Sequence, residues 1–309
     1  MEIEIIGTES LGVRGLSCRI SVGERRILID PGVALGYLRH GHLPHPCQVA
    51  VGVVVREQII AAMSKATDIV ISHYHGDHIP LADANPYQLS LSRIPQLEDV
   101  RFWCQGTTSL SFHSLRRREA IEDHIGRPLP ESDGTREGIL SFSLPVPHGS
   151  PRSHLGTVMM TGIRDGERTF VHTSDIQMLN REAVEIIRAW EPDVVFAAGP
   201  PLYLLRLTDK ERTEAWTNAL SVAEGCGTLI LDHHVRRSHG GCRWAERLSD
   251  AAGGNVISAA GFMGREPLLL EARRKELYRD YPVPEGWHEA YARGEVGVEG
   301  FMDFVGMVG

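Results

Sequence analysis

The hexapeptide His73-Tyr74-His75-Gly76-Asp77-His78 puts four side chains of metal-ligand type into six consecutive positions. Imidazole together with carboxylate suits Zn, with Fe and Mn as reasonable alternatives, and an ion held that way activates water for hydrolysis. The run follows Asp68-Ile69-Val70-Ile71, a short apolar segment of the kind buried in a sheet. On an extended exit from that strand, His73 and His75 project to the same side, while Asp77 and His78 fall in the next turn and can face a second ion. Gly76 permits the change of direction between the pairs. Even with 15 His in 309 residues, core packing or a capped helix start explains such a cluster poorly.

One segment cannot close a metal site, and three other apolar runs end in ligand-type residues. Leu144-Pro145-Val146-Pro147 leads to His148, Thr169-Phe170-Val171-His172-Thr173-Ser174 to Asp175, and Thr228-Leu229-Ile230-Leu231-Asp232 to His233 and His234. In an α/β protein, ligands collect outside one sheet edge, where the connecting loops lie. An Asp between two ions can bridge them with its two oxygens. No Gly-x-Ser-x-Gly elbow appears, and a metal-activated water needs no Ser or Cys nucleophile.

Alternation marks three opening strands, Glu2 to Ile6, Ser17 to Val22 and Arg26 to Ile29, the last running into an Asp30-Pro31-Gly32 turn. Ile59, Ile60 and Met63 have helical spacing within residues 56 to 66. Ser109 to Ile125 reads as a helix and Ile139 to Val146 as a strand. Asp165-Gly166 reads as the turn of a hairpin between Gly156 to Met160 and Thr169 to Val171. Helix and strand then alternate through Arg181 to Trp190, Asp193 to Ala197, Thr208 to Ala223, Thr228 to Leu231, Arg243 to Ala252 and Val256 to Ser258. The pattern predicts an α/β protein with an antiparallel start, in one domain over residues 1 to 309. A C-terminal extension starts near residue 271, with Arg273 to Asp280 ending a last helix. The tail from Gly294 to Gly309 is either docked or a mobile lid.

Composition narrows the partners. With 42% apolar and 23% charged residues the chain is ordinary and globular, and its net charge of -8 gives no global support to a groove that tracks long nucleic acid. A small-molecule or short anionic substrate fits better, and homo-oligomer formation is left open. The acidic start, Met1-Glu2-Ile3-Glu4-Ile5, lacks the positive charge of a signal peptide, and no later run suggests a membrane span. Five scattered Cys, none in a Cys-x-x-Cys pair, fit a reducing cytoplasm.

Asp30, the His73 to His78 motif, His148, Asp175 and His233 or His234, in that order and context, resemble the metallo-β-lactamase superfamily over about residues 1 to 260. The insert from Leu35 to Val55 and the Gly199-Pro200-Pro201-Leu202-Tyr203 segment are similar to a mainly archaeal branch of predicted metal-dependent hydrolases. The resemblance implies an αββα four-layer sandwich with two divalent ions at one edge, Zn first, with Mn or Fe as alternatives. Carried over residue by residue, His73, His75 and His148 would hold the first ion. Asp77, His78 and the last His would hold the second, with Asp175 bridging both. The superfamily places its last ligand just after a strand, which favours His233 and leaves the adjacent His234 open. Asp30 would support rather than bind. Two ions lower the pKa of a shared water, and Asp77 would orient the resulting hydroxide and accept its proton.

Spacing then limits the reaction. The 58 residues from Asp175 to His233 leave no space for the β-CASP insertion of nucleases in this superfamily, and the 27 from His148 to Asp175 none for a tRNA-binding arm. A hydrolase acting on a small phosphodiester, or on an ester, thioester or lactone, is the first reading. Flavodiiron relatives need a carboxylate where this chain has His75. Persulfide dioxygenases keep the hexapeptide but bind one Fe, so a mononuclear iron oxidoreductase is the alternative. A non-catalytic binding module comes third, because the ligand set is intact.

Other features read more plainly. His172 suits second-layer hydrogen bonding. The insert around His40, His42 and His45 matches no tight zinc pattern and reads as a substrate-side loop. Arg116 to Arg118 and Arg273 to Lys275 read as solvated helix faces, whereas Arg236 and Arg237 follow the last ligand closely enough to reach an anionic substrate. Cys104 is a core residue, and His113 and His154 are isolated.

Overall fold

The computed structural model describes residues 1–151 and 155–307, with side chains as far as Asp303. Its first sheet runs in chain order through β1 (Glu2–Gly7), β2 (Ser17–Val22), β3 (Arg25–Ile29), β4 (Asp68–Ile71) and β5 (Arg101–Cys104). The first three are antiparallel neighbours; β3, β4 and β5 are parallel. A parallel step needs a crossover, and α1 (Pro46–Met63) supplies it between β3 and β4. The chain continues through α2 (Phe112–Ile125), β6 (Arg136–Glu137), β7 (Leu140–Phe142) and a two-stranded ribbon of β8 (Val146–Pro147) and β9 (Thr157–Val158). Then come β10 (Thr161–Asp165), β11 (Arg168–Ser174), α3 (Arg181–Ala189), β12 (Val194–Ala197), α4 (Asp209–Glu224), β13 (Thr228–Leu231), α5 (His239–Ala251) and β14 (Val256–Ile257). The second sheet has the order β14-β13-β12-β11-β10-β7-β6, parallel from β11 to β14 and antiparallel beyond.

Strand alternation fixes the layers. Ile27 and Ile29 of β3, Val70 of β4, Phe170 of β11 and Phe196 of β12 meet between the two sheets. Their neighbours Leu28, Ile69 and Ile71 face outward to α1, and Val171, Val195 and Leu229 face outward to the helices of the second sheet. The result is the expected αββα four-layer sandwich. Phe170 has no exposed surface at its centre, so Phe170→Ala is expected to cost about 3–5 kcal/mol of unfolding free energy, measured by denaturant titration.

Three sequence expectations change. First, the helix expected from residue 56 starts ten residues earlier, at Pro46, with the His45 ring accepting from Cys47 N at 3.2 Å as its cap. Its periodicity is hidden because it is apolar all round: the sheet covers one side, while Leu270, Leu277, Trp287 and Val298 belong to the same core. Its 18 residues with mean hydropathy 1.3 have the length and composition of a membrane span, yet 67% of them are buried in protein. The second half of the Leu35 to Val55 insert is therefore core helix, and the His40 to His45 stretch expected as a substrate-side loop precedes it. Second, the strand that pairs with β11 is Thr161–Asp165, with Asp165 opposite Arg168, so the turn is Gly166-Glu167. Thr157–Val158 pairs instead with the short segment leading to His148. Third, the two arginine clusters are not wholly solvated. Arg118 is buried and donates to the Tyr74 hydroxyl and to the Gln105 and Leu129 carbonyls. Arg274 is buried and donates to the Gly36 and His42 carbonyls and to Gln48 Oε1. Each guanidinium caps loop carbonyls that the sheets leave without partners.

After α6 (Ala259–Phe262), the C-terminal extension forms α7 (Arg274–Asp280), α8 (Trp287–Ala292) and a 3-10 segment, Glu299–Met307. Phe301 meets Trp287 and the His45 ring, so this part is docked against α1 rather than free as a lid. The side chains of Phe304, Val305 and Met307 lie outside the described residues.

Candidate metal centre

Five strand ends converge at one edge of the sandwich. Asp30 follows β3, the His73 to His78 motif follows β4, His148 follows β8, Asp175 follows β11, and His233 and His234 follow β13. Three of these exits turn sharply, with Asp30, Ser174 and His233 at φ of 48°, 52° and 44°. Left-handed backbone is costly for residues other than Gly and concentrates where the surroundings demand it. Gly32 has a steric role in the same place: a Cβ there would lie 2.1 Å from Ile79 N and 2.2 Å from His78 C, so only Gly lets the turn after Asp30 pass against the motif.

The ligand-type atoms fall into overlapping groups, two of which lie on either side of Asp175. Its Oδ2 lies 3.7 Å from His73 Nε2, 3.8 Å from His75 Nδ1 and 3.8 Å from His148 Nδ1. Its Oδ1 lies 3.2 Å from His78 Nε2 and 3.3 Å from His233 Nε2. Asp77 completes the second group, with Oδ1 4.0 Å from His78 Nε2 and Oδ2 3.5 Å from His233 Nε2. Donors about 2.1 Å from a tetrahedral ion stand about 3.4 Å apart, so both groups are close to the spacing that an ion requires. His73 Nε2, His78 Nε2 and Asp175 Oδ1 are buried without a hydrogen-bond partner among the described residues, which is the signature of atoms kept for a ligand. Of the two adjacent His, it is His233 that faces Asp77 and His78; His234 Nε2 stands 3.6 Å from Asp175 Oδ2, beside the first group.

Asp30 sets the protons behind these atoms. Its Oδ1 accepts from Ser72 N at 2.9 Å, and its Oδ2 from Ser72 Oγ at 2.7 Å, Ser174 Oγ at 2.8 Å and His78 Nδ1 at 2.9 Å. A carboxylate only accepts, so His78 carries its proton on Nδ1 and presents Nε2 to the cluster. Ser72 Oγ lies 2.6 Å from Ser174 Oγ and 2.9 Å from His73 Nδ1; with its own proton given to Asp30 it is an acceptor for His73 Nδ1, which frees His73 Nε2 in the same way. His172 donates from Nε2 to Leu16 O at 2.8 Å and accepts from Ser174 N at 3.2 Å, the hydrogen-bonding role expected of it.

The charge states follow from burial and from these contacts. Burial keeps His73 well below the ordinary histidine range and brings His148 down to about 3, so both are neutral imidazoles, as ligands must be. Burial also disfavours ionised Asp175, but the surrounding His234, His78 and His233 outweigh it and hold its carboxyl well below the usual range. Asp77 is lowered likewise by the bond to His233 and the charge of His78. His78 is raised because Asp175 and Asp30 outweigh its burial.

The other expected residues fall on both sides of the site. Arg237 reaches it, with Nη2 2.7 Å from His233 Nε2. Arg236 turns back to the fold, donating from Nε to Leu231 O at 2.9 Å and lying 3.8 Å from Asp232. His42 stacks on Tyr278, and His45 bonds to Tyr281 O at 2.8 Å, so both serve the C-terminal extension. His113 is exposed on α2, and His154 lies outside the described residues.

Sequence reasoning missed Asp232, Tyr74 and Glu9. Asp232 accepts from His233 N, Ser10 N and Thr8 Oγ1 through Oδ1, and from Ala259 N through Oδ2. It repeats the strand-then-Asp pattern of Ile29-Asp30, which was the available signal. Tyr74 is clamped by α2, its carbonyl by Arg117 at 2.9 Å and its hydroxyl by Arg118 at 2.7 Å.

The αββα sandwich, with a His/Asp cluster at the edge where its strands exit, defines the class: a metallo-β-lactamase fold with a candidate site for divalent metal. The chain belongs to the UPF0282 protein family. A UPF0282 protein of Methanosarcina mazei is 52% identical over 302 residues, covering 98% of this chain and 100% of the relative, and one of Pyrococcus furiosus is 34% identical, covering 93% and 96%. No family model matches. Among solved structures, a CmlA β-hydroxylase variant is 13% identical at a TM-score of 0.46, covering 83% of this chain and 52% of that one. Unliganded yeast PDE1 is 12% identical at 0.45, covering 83% and 96%. AidC, a dizinc quorum-quenching lactonase, is 13% identical at 0.31, covering 52% and 55%.

Proposed function

We propose that the protein is a binuclear metal-dependent hydrolase of small, anionic substrates, with a phosphodiester or an ester or lactone as the scissile group. The supporting observation is the sharing of Asp175 between two groups of ligand-type atoms, each at ion-compatible spacing. His73, His75, His148 and Asp175 would hold one ion, and Asp77, His78, His233 and Asp175 the other. Zn is the first choice and Mn or Fe the alternatives. When bound, such ions lower the pKa of water and polarise the bond to be cleaved.

The chain's own residues account for the rest. His75 and Asp77 are the most exposed members of the cluster, with side chains 38% and 20% accessible, so substrate and water approach on their side. Asp77 is ionised and can orient an incoming water and take its proton. Arg237, Arg39 and Tyr203 gather beside the second group, where a guanidinium suits an anionic substrate.

Elemental analysis of the chain after exposure to Zn or Mn and removal of free metal is expected to give two ions per chain. A parallel screen of bis-p-nitrophenyl phosphate and simple esters should show turnover of one class. One Fe per chain, no hydrolysis and oxygen uptake with a persulfide would replace this reading with the oxidative one.

A further inference from the structure

Arg237 is not needed to hold the first group, and no guanidinium hydrogen-bonds to His73, His75 or His148 among the described residues. At the second group its Nη2 stands 2.7 Å from His233 Nε2 and 3.6 Å from Asp77 Oδ2. It is anchored from behind, donating from Nε to Glu9 Oε1 at 2.6 Å and from Nη1 to the Tyr203 hydroxyl at 3.2 Å. Arg39 braces the arrangement, donating to the Arg237 carbonyl at 3.0 Å and lying 4.7 Å from the centre of the Tyr203 ring. Glu9 is 2% exposed, so withdrawing the guanidinium would leave a buried carboxylate without this partner.

An ion bound to imidazole sits about 2.1 Å from the nitrogen, so one on His233 Nε2 lies within about 4.8 Å of Arg237 Nη2. Two cations that close in a buried site repel each other. On the site side the guanidinium faces Asp77, a carboxylate that the second ion would share. Glu9 and Glu271 face Arg14, Arg237 and Arg274, two carboxylates against three cations, and Arg14 is already paired with Glu271 at 2.6 Å. Burial and the nearby Glu271 further push the Glu9 carboxyl up to about 7, so near neutrality its own charge is incomplete.

Building on the binuclear reading, we propose that Arg237, held by Glu9 and Tyr203, makes the two metal positions unequal. The group around His73, His75 and His148 keeps its ion. The group around Asp77, His78 and His233 holds its ion weakly and exchanges it with solution.

Calorimetric titration of the metal-free chain with Zn, repeated with Mn, tests this without any substrate. The wild type is expected to bind in two steps whose Kd values differ at least tenfold. R237Q should strengthen the weaker step at least tenfold and leave the tighter one unchanged, with R237M in its place should R237Q fail to fold. R237K keeps the charge and should keep the gap. Equal steps in the wild type, a gap that the neutral variants leave intact, or a gap that R237K closes as they do would each overturn the proposal. Binding of no ion, or of one ion alike in the wild type and the neutral variants, would instead defeat the binuclear reading.

Discussion

Asp175→Ala is expected to remove bound metal from both groups at once and to lower hydrolysis by at least about a hundredfold, since even residues one layer behind metal ligands cost 10–100-fold in affinity or activity. The physical reason is the geometry of its two oxygens. Oδ2 stands within 3.8 Å of the nitrogens of His73, His75 and His148, and Oδ1 within 3.3 Å of those of His78 and His233. Without the carboxylate, five imidazoles converge with no anion between the groups, and the attraction for a divalent ion falls at both. Loss of a residue that served one group only would leave the other loaded. The check is metal per chain after equilibration with Zn: a value near one for Asp175→Ala would show that the groups are independent. Asp175→Asn keeps the shape and one neutral oxygen, so it should retain part of the metal; retention equal to the wild type would mean that the charge is not what binds.

The parts legible in the sequence share one property, a strong local pattern. The opening strands have a clean period of two, which locates β1, β2 and β3 to within a residue or two of Glu2–Gly7, Ser17–Val22 and Arg25–Ile29. α3 and α4 were similarly clear, bounded by Asn180 and Thr208, whose side chains cap them. The ligand-type residues were legible because each follows an apolar strand, and strand ends of one sheet edge meet in space. What was not legible depends on contacts far apart in the chain. α1 lost its periodicity because the C-terminal extension covers the face that solvent would otherwise mark as polar. Arg118 and Arg274 looked like surface charge because the carbonyls they cap belong to distant loops. The Glu9 to Arg237 contact joins residues 228 apart, and nothing local in Thr8-Glu9-Ser10 hints at it.

Asp30 stands behind the ligand-type atoms, and the candidate site depends on it through its hydrogen bonds. Asp30→Ala is expected to cost about 3–5 kcal/mol of unfolding free energy at pH 7, the scale for breaking a buried ionic contact. Four groups lose their acceptor together, Ser72 N, Ser72 Oγ, Ser174 Oγ and His78 Nδ1, in a place with no exposed surface. The cost should depend on pH with a definite sign. Burial raises the Asp30 pKa, but the bond and charge of His78, the charge of His172 and the Ser72 N–H outweigh it, and the group lies below its ordinary 3.8. A depressed carboxyl stabilises the fold fully above its unfolded pKa and loses that contribution as pH falls through the folded value. The difference between wild type and Asp30→Ala, measured by urea titration, should therefore be constant from pH 7 to about pH 5 and shrink below pH 3.8. A second readout separates support from stability alone. Once Asp30 no longer fixes the Nδ1 proton of His78, Nε2 is presented to the second group only part of the time, and Zn affinity there should fall about 10–100-fold even in folded protein. Unchanged metal affinity in a folded Asp30→Ala variant would confine Asp30 to the architecture of the strand ends.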